Sequence, residues 1–153
     1  MIRLATKEDI PKVAELWVEM VNELTPGEKA DKDFWITRSS FLMNTGDYKI
    51  VIADIDSKIV GFLDGMVFYE PSISKKIGMA NHYYVIPEYR KTDISSGLYE
   101  EMLFHAYQHG AEIVELYCLE SKLKYWENRH FIKDKYVFVE SILQPRLDCH
   151  RRP

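Results

Sequence analysis

Between Met79 and Leu119 the hydrophobic period switches from strand to helix and back, which restricts the fold more than any other feature. Met79 to Val85 reads as a strand. Ser95 to His109 carries Leu98, Met102 and Ala106 at helical spacing. Gly110 is its natural stop, because glycine accepts the left-handed conformation at a helix end. Glu112 to Leu119 follows as a strand, with Ile113, Val114, Leu116 and Tyr117. A strand–helix–strand unit predicts two parallel strands joined by a right-handed crossover.

The remaining elements extend this unit. Ile2 to Ala5 is a short strand. Thr6, with Asp9 three positions on, caps a helix whose apolar face is Ile10, Val13, Trp17, Met20, Val21 and Leu24. Thr25-Pro26-Gly27 ends it. A second helix spans Lys32 to Met43, and Asn44 to Asp47 is a turn. Tyr48 to Ile55 and Ile59 to Phe68 form a hairpin around Asp56-Ser57-Lys58. Gly61 and Gly65 in the second strand mark bulges or close backbone approaches. Glu70 to Gly78 reads as a polar loop. Ser121 caps a short helix to about Arg129, Tyr136 to Leu143 is a last strand, and residues 144–153 form a tail. The order β-α-α-β-β-β-α-β-α-β predicts an α+β fold, an α-β-α sandwich with a mixed sheet and helices on both faces. Without repeats or linkers, the chain reads as one domain with its core at about 2–143.

Composition narrows the function classes. The 153 residues are 46% hydrophobic, enough for a sizeable core, and carry a net charge of −4. That balance argues against a nucleic-acid binder with a broad basic face. No apolar run approaches the ~20 residues of a membrane span, and no apolar leader opens the chain, so a cytoplasmic protein is expected. Two cysteines, Cys118 and Cys149, make no disulfide framework. Cys118, in an apolar run, is expected to be buried. No histidine or cysteine spacing suggests a metal site.

The chemistry concentrates in Val85 to Leu98. A loop that ends a strand and opens a helix aims backbone N–H groups at one spot of partial positive charge, which suits a phosphate. Val85, Pro87, Arg90, Ile94 and Leu98 stand at the spacing of a pyrophosphate-binding motif, Val-x-Pro followed by Arg-x-x-Gly-x-Gly/Ala. The stretch resembles that motif in the GNAT superfamily of acyl-CoA N-acyltransferases. Asp93 and Ser95 occupy its two glycine positions. Tyr125 to Phe131 resembles the family's late helix motif: Phe131 matches, Trp126 stands at the tyrosine position and His130 at the glycine position.

The resemblance extends over Ile2 to about Leu143 and implies an acetyl-CoA-dependent N-acetyltransferase. Its acceptor would be a small-molecule or peptide amine attacking the thioester directly, with no metal and with a homodimer left open. It implies a cofactor site of Tyr84, Val85, Arg90, Lys91, Thr92, Asp93, Ile94, Ser95 and Ser96. Lys122, Lys124 and Arg129 are further candidates for phosphate contacts. A backbone N–H near Tyr84–Val85 would polarise the thioester carbonyl. Tyr125 is the candidate acid for the leaving thiolate. His82 is the candidate base, as the only side chain on the strand that titrates near neutrality, and Tyr84 shares its face. Asn81 and Tyr83 take the other face. The loops Thr25 to Asp33 and Tyr69 to Met79 would shape the acceptor pocket. The alternative is a non-catalytic module on the same fold. In it the Asp93 carboxylate caps the helix at Ile94 and fills the phosphate position, while Tyr89, Tyr99 or Trp35 serve as exposed interface anchors.

Overall fold

The computed structural model of the chain describes residues 1–133. The chain divides into two compact units, Met1–Tyr117 and Cys118–Pro153. The expected strand at Tyr136 to Leu143, the tail and Cys149 lie outside the described residues.

The first unit is a five-stranded sheet in the order β1 (Ile2–Leu4), β2 (Tyr48–Ile55), β3 (Lys58–Glu70), β4 (Lys75–Val85) and β5 (Ile113–Leu116). Neighbours run antiparallel except β4 and β5, which are parallel as the crossover requires. Three helices flank the sheet: α1 (Ile10–Leu24), α2 (Lys32–Met43) and α3 (Ile94–Gln108). His82 meets Trp17 of α1, whereas its neighbour Tyr83 reaches Ser95 of α3. Adjacent strand residues point to opposite faces, so α1 and α3 cover the two sides of the sheet. The core joins Ile10 and Val13 of α1 and Trp35 of α2 to Ile50, Ile52, Phe62 and Leu98.

Several strand boundaries differ from the expectation, β3 for one running Lys58–Glu70. β4 begins at Lys75 rather than Met79, because Lys75 and Lys76 pair across the hairpin with Glu70 and Tyr69. Their polarity reflects an exposed hairpin end, not a loop. β5 is shorter than expected, and Cys118 beyond it is exposed rather than buried. The β2–β3 turn places Asp56 and Ser57 at φ 49° and 65°. Two left-handed residues make the tight hairpin turn that matches the twist of its strands.

One polar cluster fixes the start of the chain. Arg3 on β1 donates to both oxygens of Asp9 at 2.7 and 3.1 Å and to Asp54 on β2 at 2.9 Å. The Arg3 hydrogen bond holds the Asp9 carboxyl at about 2, below its ordinary 3.8. A depressed folded value means stability that is present above pH ~4 and lost as pH falls toward 2. Asp9→Asn is therefore expected to cost about 1–2 kcal/mol at pH 7. In urea unfolding that difference from wild type should shrink steadily as pH falls from about 4 and be mostly lost by about pH 2.

Two irregularities in β4 position the site. Asp64 pairs with His82 but Gly65 pairs with Ala80, so Asn81 is the extra residue of a bulge. Gly65 is required there, since a Cβ would lie 2.6 Å from the Met79 carbonyl oxygen. Pairing between β4 and β5 then stops at Ala80 and Leu116. From Asn81 to Val85, that edge of β4 faces no strand among the described residues.

In the second unit, α4 (Leu123–Glu127) follows a single tight turn at Glu120–Lys122. Trp126 meets Phe131 and Tyr125 edge-on, with ring centres 5.5 and 5.0 Å apart. His130 sits at φ 68°, the conformation that a glycine adopts without strain.

Candidate active site

The part of β4 beyond the bulge carries His82, Tyr84 and Val85, and the loop and first turn of α3 that follow carry Arg90 to Ser96. His82 is bonded to a residue that motif reading did not single out. Its ring Nδ1 lies 2.9 Å from Oδ1 of Asp64, and its backbone N–H donates to the same oxygen at 2.8 Å. Tyr48 donates its hydroxyl to Oδ2 of Asp64, and Ser39 Oγ lies 3.5 Å from that hydroxyl. Asp64 is fully buried, while the His82 side chain is 31% exposed. The Tyr48 hydroxyl and the His82 backbone N–H both donate to the carboxylate, and the His82 ring lies within hydrogen-bond distance of the same oxygen that its own N–H reaches. Burial, and then the adjacent Asp64 charge, push the Tyr48 phenol far above its usual range, so it stays a donor. Trp17 presents its ring edge-on to His82 at 6.3 Å and stacks on Trp35 at 6.0 Å. Trp35 is 2% exposed, hence a core residue and not an exposed anchor.

Tyr84 lies on the same face as His82 but is buried. The Arg90 guanidinium carbon stands 5.3 Å from its ring centre. Burial, then the charges of Glu23 and Glu19, raise the Tyr84 phenol above its ordinary value, so it remains a neutral hydroxyl. Arg90 is engaged from both ends. Its Nε donates to the Val85 carbonyl at 2.7 Å, and its two terminal nitrogens grip Glu23 of α1 at 2.8 and 2.5 Å. This bidentate pair fastens the end of α1 to the β4–α3 loop.

At the helix start the Ile94 N–H donates to Thr92 Oγ1 at 3.4 Å. Lys91 adopts φ 70°, and Thr92 Oγ1 donates to the Tyr89 carbonyl at 2.6 Å. Asp93 makes no side-chain capping bond to α3, which corrects the expectation that its carboxylate caps Ile94. Its carbonyl instead accepts the Gly97 N–H at 2.8 Å, the first intrahelical bond. Ile94, Ser95 and Ser96 are half-buried, and Lys91, Thr92 and Asp93 are exposed. Tyr83 ties the loop to the strand through its hydroxyl, 3.1 Å from the Ser95 carbonyl.

The edge of β4 away from β3 offers a backbone donor at Val85. Ile86 N–H bonds to Val60 of β3. Antiparallel ladders alternate, so the preceding Val85 N–H points away from β3 and along the open edge. Tyr125 belongs to the second unit. There the Arg129 guanidinium carbon stands 3.8 Å over its ring centre, and Arg129 Nη1 lies 3.4 Å from its carbonyl.

The family model described as the acetyltransferase (GNAT) family matches residues 13–131. The chain belongs to the GNAT acetyltransferase family. An uncharacterised N-acetyltransferase of Archaeoglobus fulgidus is 26% identical over 124 residues, covering 76% of this chain and 80% of that protein. Among solved structures, a Trypanosoma brucei acetyltransferase superposes with a TM-score of 0.73 at 16% identity, covering 93% of this chain and 99% of the other. Glucosamine-6-phosphate N-acetyltransferase of Arabidopsis thaliana gives 0.74 at 18% identity, with 94% and 98% covered. At these identities the structural likeness is one of fold, and it agrees with the GNAT α/β arrangement. No helix among the described residues is long and apolar enough to cross a membrane.

The residues that motif reading missed are Asp64 and Tyr48. The signal available was one carboxylate in the apolar run Ile59 to Phe68, where a charge requires buried partners.

Proposed function

We propose that the chain is an acetyl-CoA-dependent N-acetyltransferase acting on a primary amine by direct attack within a ternary complex. The observation that carries this is the edge of β4 beyond Ala80, which pairs with no strand among the described residues, with His82 on one face and, beyond the β4–α3 loop, a helix start where Asp93 makes no capping bond. The helix start, with Ser95 and Ser96, would hold the diphosphate of acetyl-CoA. The acetyl group would lie along the open edge, with its carbonyl oxygen on the Val85 N–H. The amine nitrogen forms a bond to the acetyl carbon, and His82 Nε2 accepts the amine proton. The negative charge that develops on the carbonyl oxygen is met by the Val85 N–H. The carbon–sulfur bond then breaks, and the thiolate takes a proton from water. Arg90 fixes the loop through Glu23 and leaves the phosphates to backbone amides and serine hydroxyls.

Calorimetry with acetyl-CoA is expected to give micromolar binding, and saturating ligand without heat would remove the proposal. Asp93→Gly is expected to tighten binding about fivefold, because one carboxylate near a diphosphate in water costs ~1 kcal/mol. Unchanged affinity in that variant would mean that Asp93 points away from the bound phosphates.

A further inference from the structure

We infer that Asp64 is a positioning residue for His82, with Tyr48 setting the carboxylate behind it. The inference rests on the proposal that His82 is the proton acceptor. Asp64 is buried in the middle of β3, where a charge is costly unless its oxygens are saturated. Three polar atoms lie within hydrogen-bond distance of its oxygens, two of them on a single residue, His82. The main-chain bond fixes the strand just past the bulge, and the ring bond fixes the imidazole plane. The shared acceptor aims Nε2 away from β3. The carboxylate also supplies the opposite charge 2.9 Å from Nδ1 when Nε2 takes the amine proton. Tyr48 holds the other oxygen and, being kept protonated by its burial, does not take that proton itself. A carboxylate placed only for packing would need no partner that reaches the surface, and His82 is such a partner.

The test separates positioning from structure. Asp64→Asn keeps the shape and removes the charge; Asp64→Ala removes the acceptor. Each is made alone and together with His82→Ala, with folding checked by circular dichroism. Turnover is read as thiol release from acetyl-CoA, using the best acceptor in a panel of aliphatic primary amines. With His82 present, kcat is expected to fall about tenfold in Asp64→Asn and about 100-fold in Asp64→Ala, with the acetyl-CoA KM held within about twofold. On the His82→Ala background neither change should cost anything further, since positioning has no effect without its target. Equal losses in both backgrounds overturn the inference. An independent readout needs no substrate. In ¹⁵N spectra of the free protein, His82 should be protonated on Nδ1, and Asp64→Ala should give a mixture of the two tautomers. A wild-type His82 protonated on Nε2 overturns the positioning role alone. An unchanged kcat in His82→Ala overturns the assignment of the base, and the inference falls with it.

Discussion

Replacing His82 by alanine is expected to lower kcat for amine acetylation about 10²- to 10⁴-fold while leaving acetyl-CoA affinity within about twofold. The split follows from the geometry. The first turn of α3 is tied to the Tyr83 face of β4 through Ser95, whereas His82 projects from the opposite face toward Trp17. A residue that meets only the amine cannot hold the cofactor, so its loss appears in the chemical step. Partial turnover should survive, because a thioester is reactive and the site still brings the reactants together. That remainder should rise as pH approaches the pKa of the acceptor, where the amine arrives already neutral. Thiol release over a pH series and calorimetry on the same preparations measure both quantities. A loss smaller than about threefold at neutral pH would show that water, and not this imidazole, takes the proton.

The fold was legible where turn residues bracket a periodic run. α2 and β2 fall at the expected bounds, Lys32–Met43 and Tyr48–Ile55, because Asn44 to Asp47 leaves no alternative between them. β4 was legible only in its apolar half; Lys75 and Lys76 are strand residues by pairing, not by hydropathy. The site divides the same way. The β4–α3 loop is contiguous in sequence, so its residues stand together on any reading that finds the motif. The Asp64–His82 contact is not contiguous. It depends on the register of β3 against β4, which shifts by one residue at Asn81. Side-chain period is two, so an unseen bulge moves every assignment of face beyond it. Gly65 carried the only trace of that bulge, and a strand glycine has several explanations. The Arg90–Glu23 pair spans 67 positions and joins two motifs that local reading treats separately.

Trp35→Ala should be the most destabilising single change in the first unit, at about 3–5 kcal/mol in urea or guanidinium unfolding. Trp35 is 2% exposed and stacks on Trp17 at 6.0 Å, with the edge of Phe62 at 6.2 Å. It thereby joins α2, α1 and β3 at one point. Removing the indole leaves a cavity that two helices and a strand cannot all close, so the loss exceeds the transfer free energy of the side chain. Trp17 also packs against His82, so the cavity loosens the wall behind the imidazole. Trp35→Phe refills most of the volume and should recover more than half of the stability, and activity should recover in parallel. A stable Trp35→Ala protein with lost binding to some partner would instead return Trp35 to the role of an interface anchor. Burial argues against that outcome, because a side chain already enclosed has almost no area left to give to a partner.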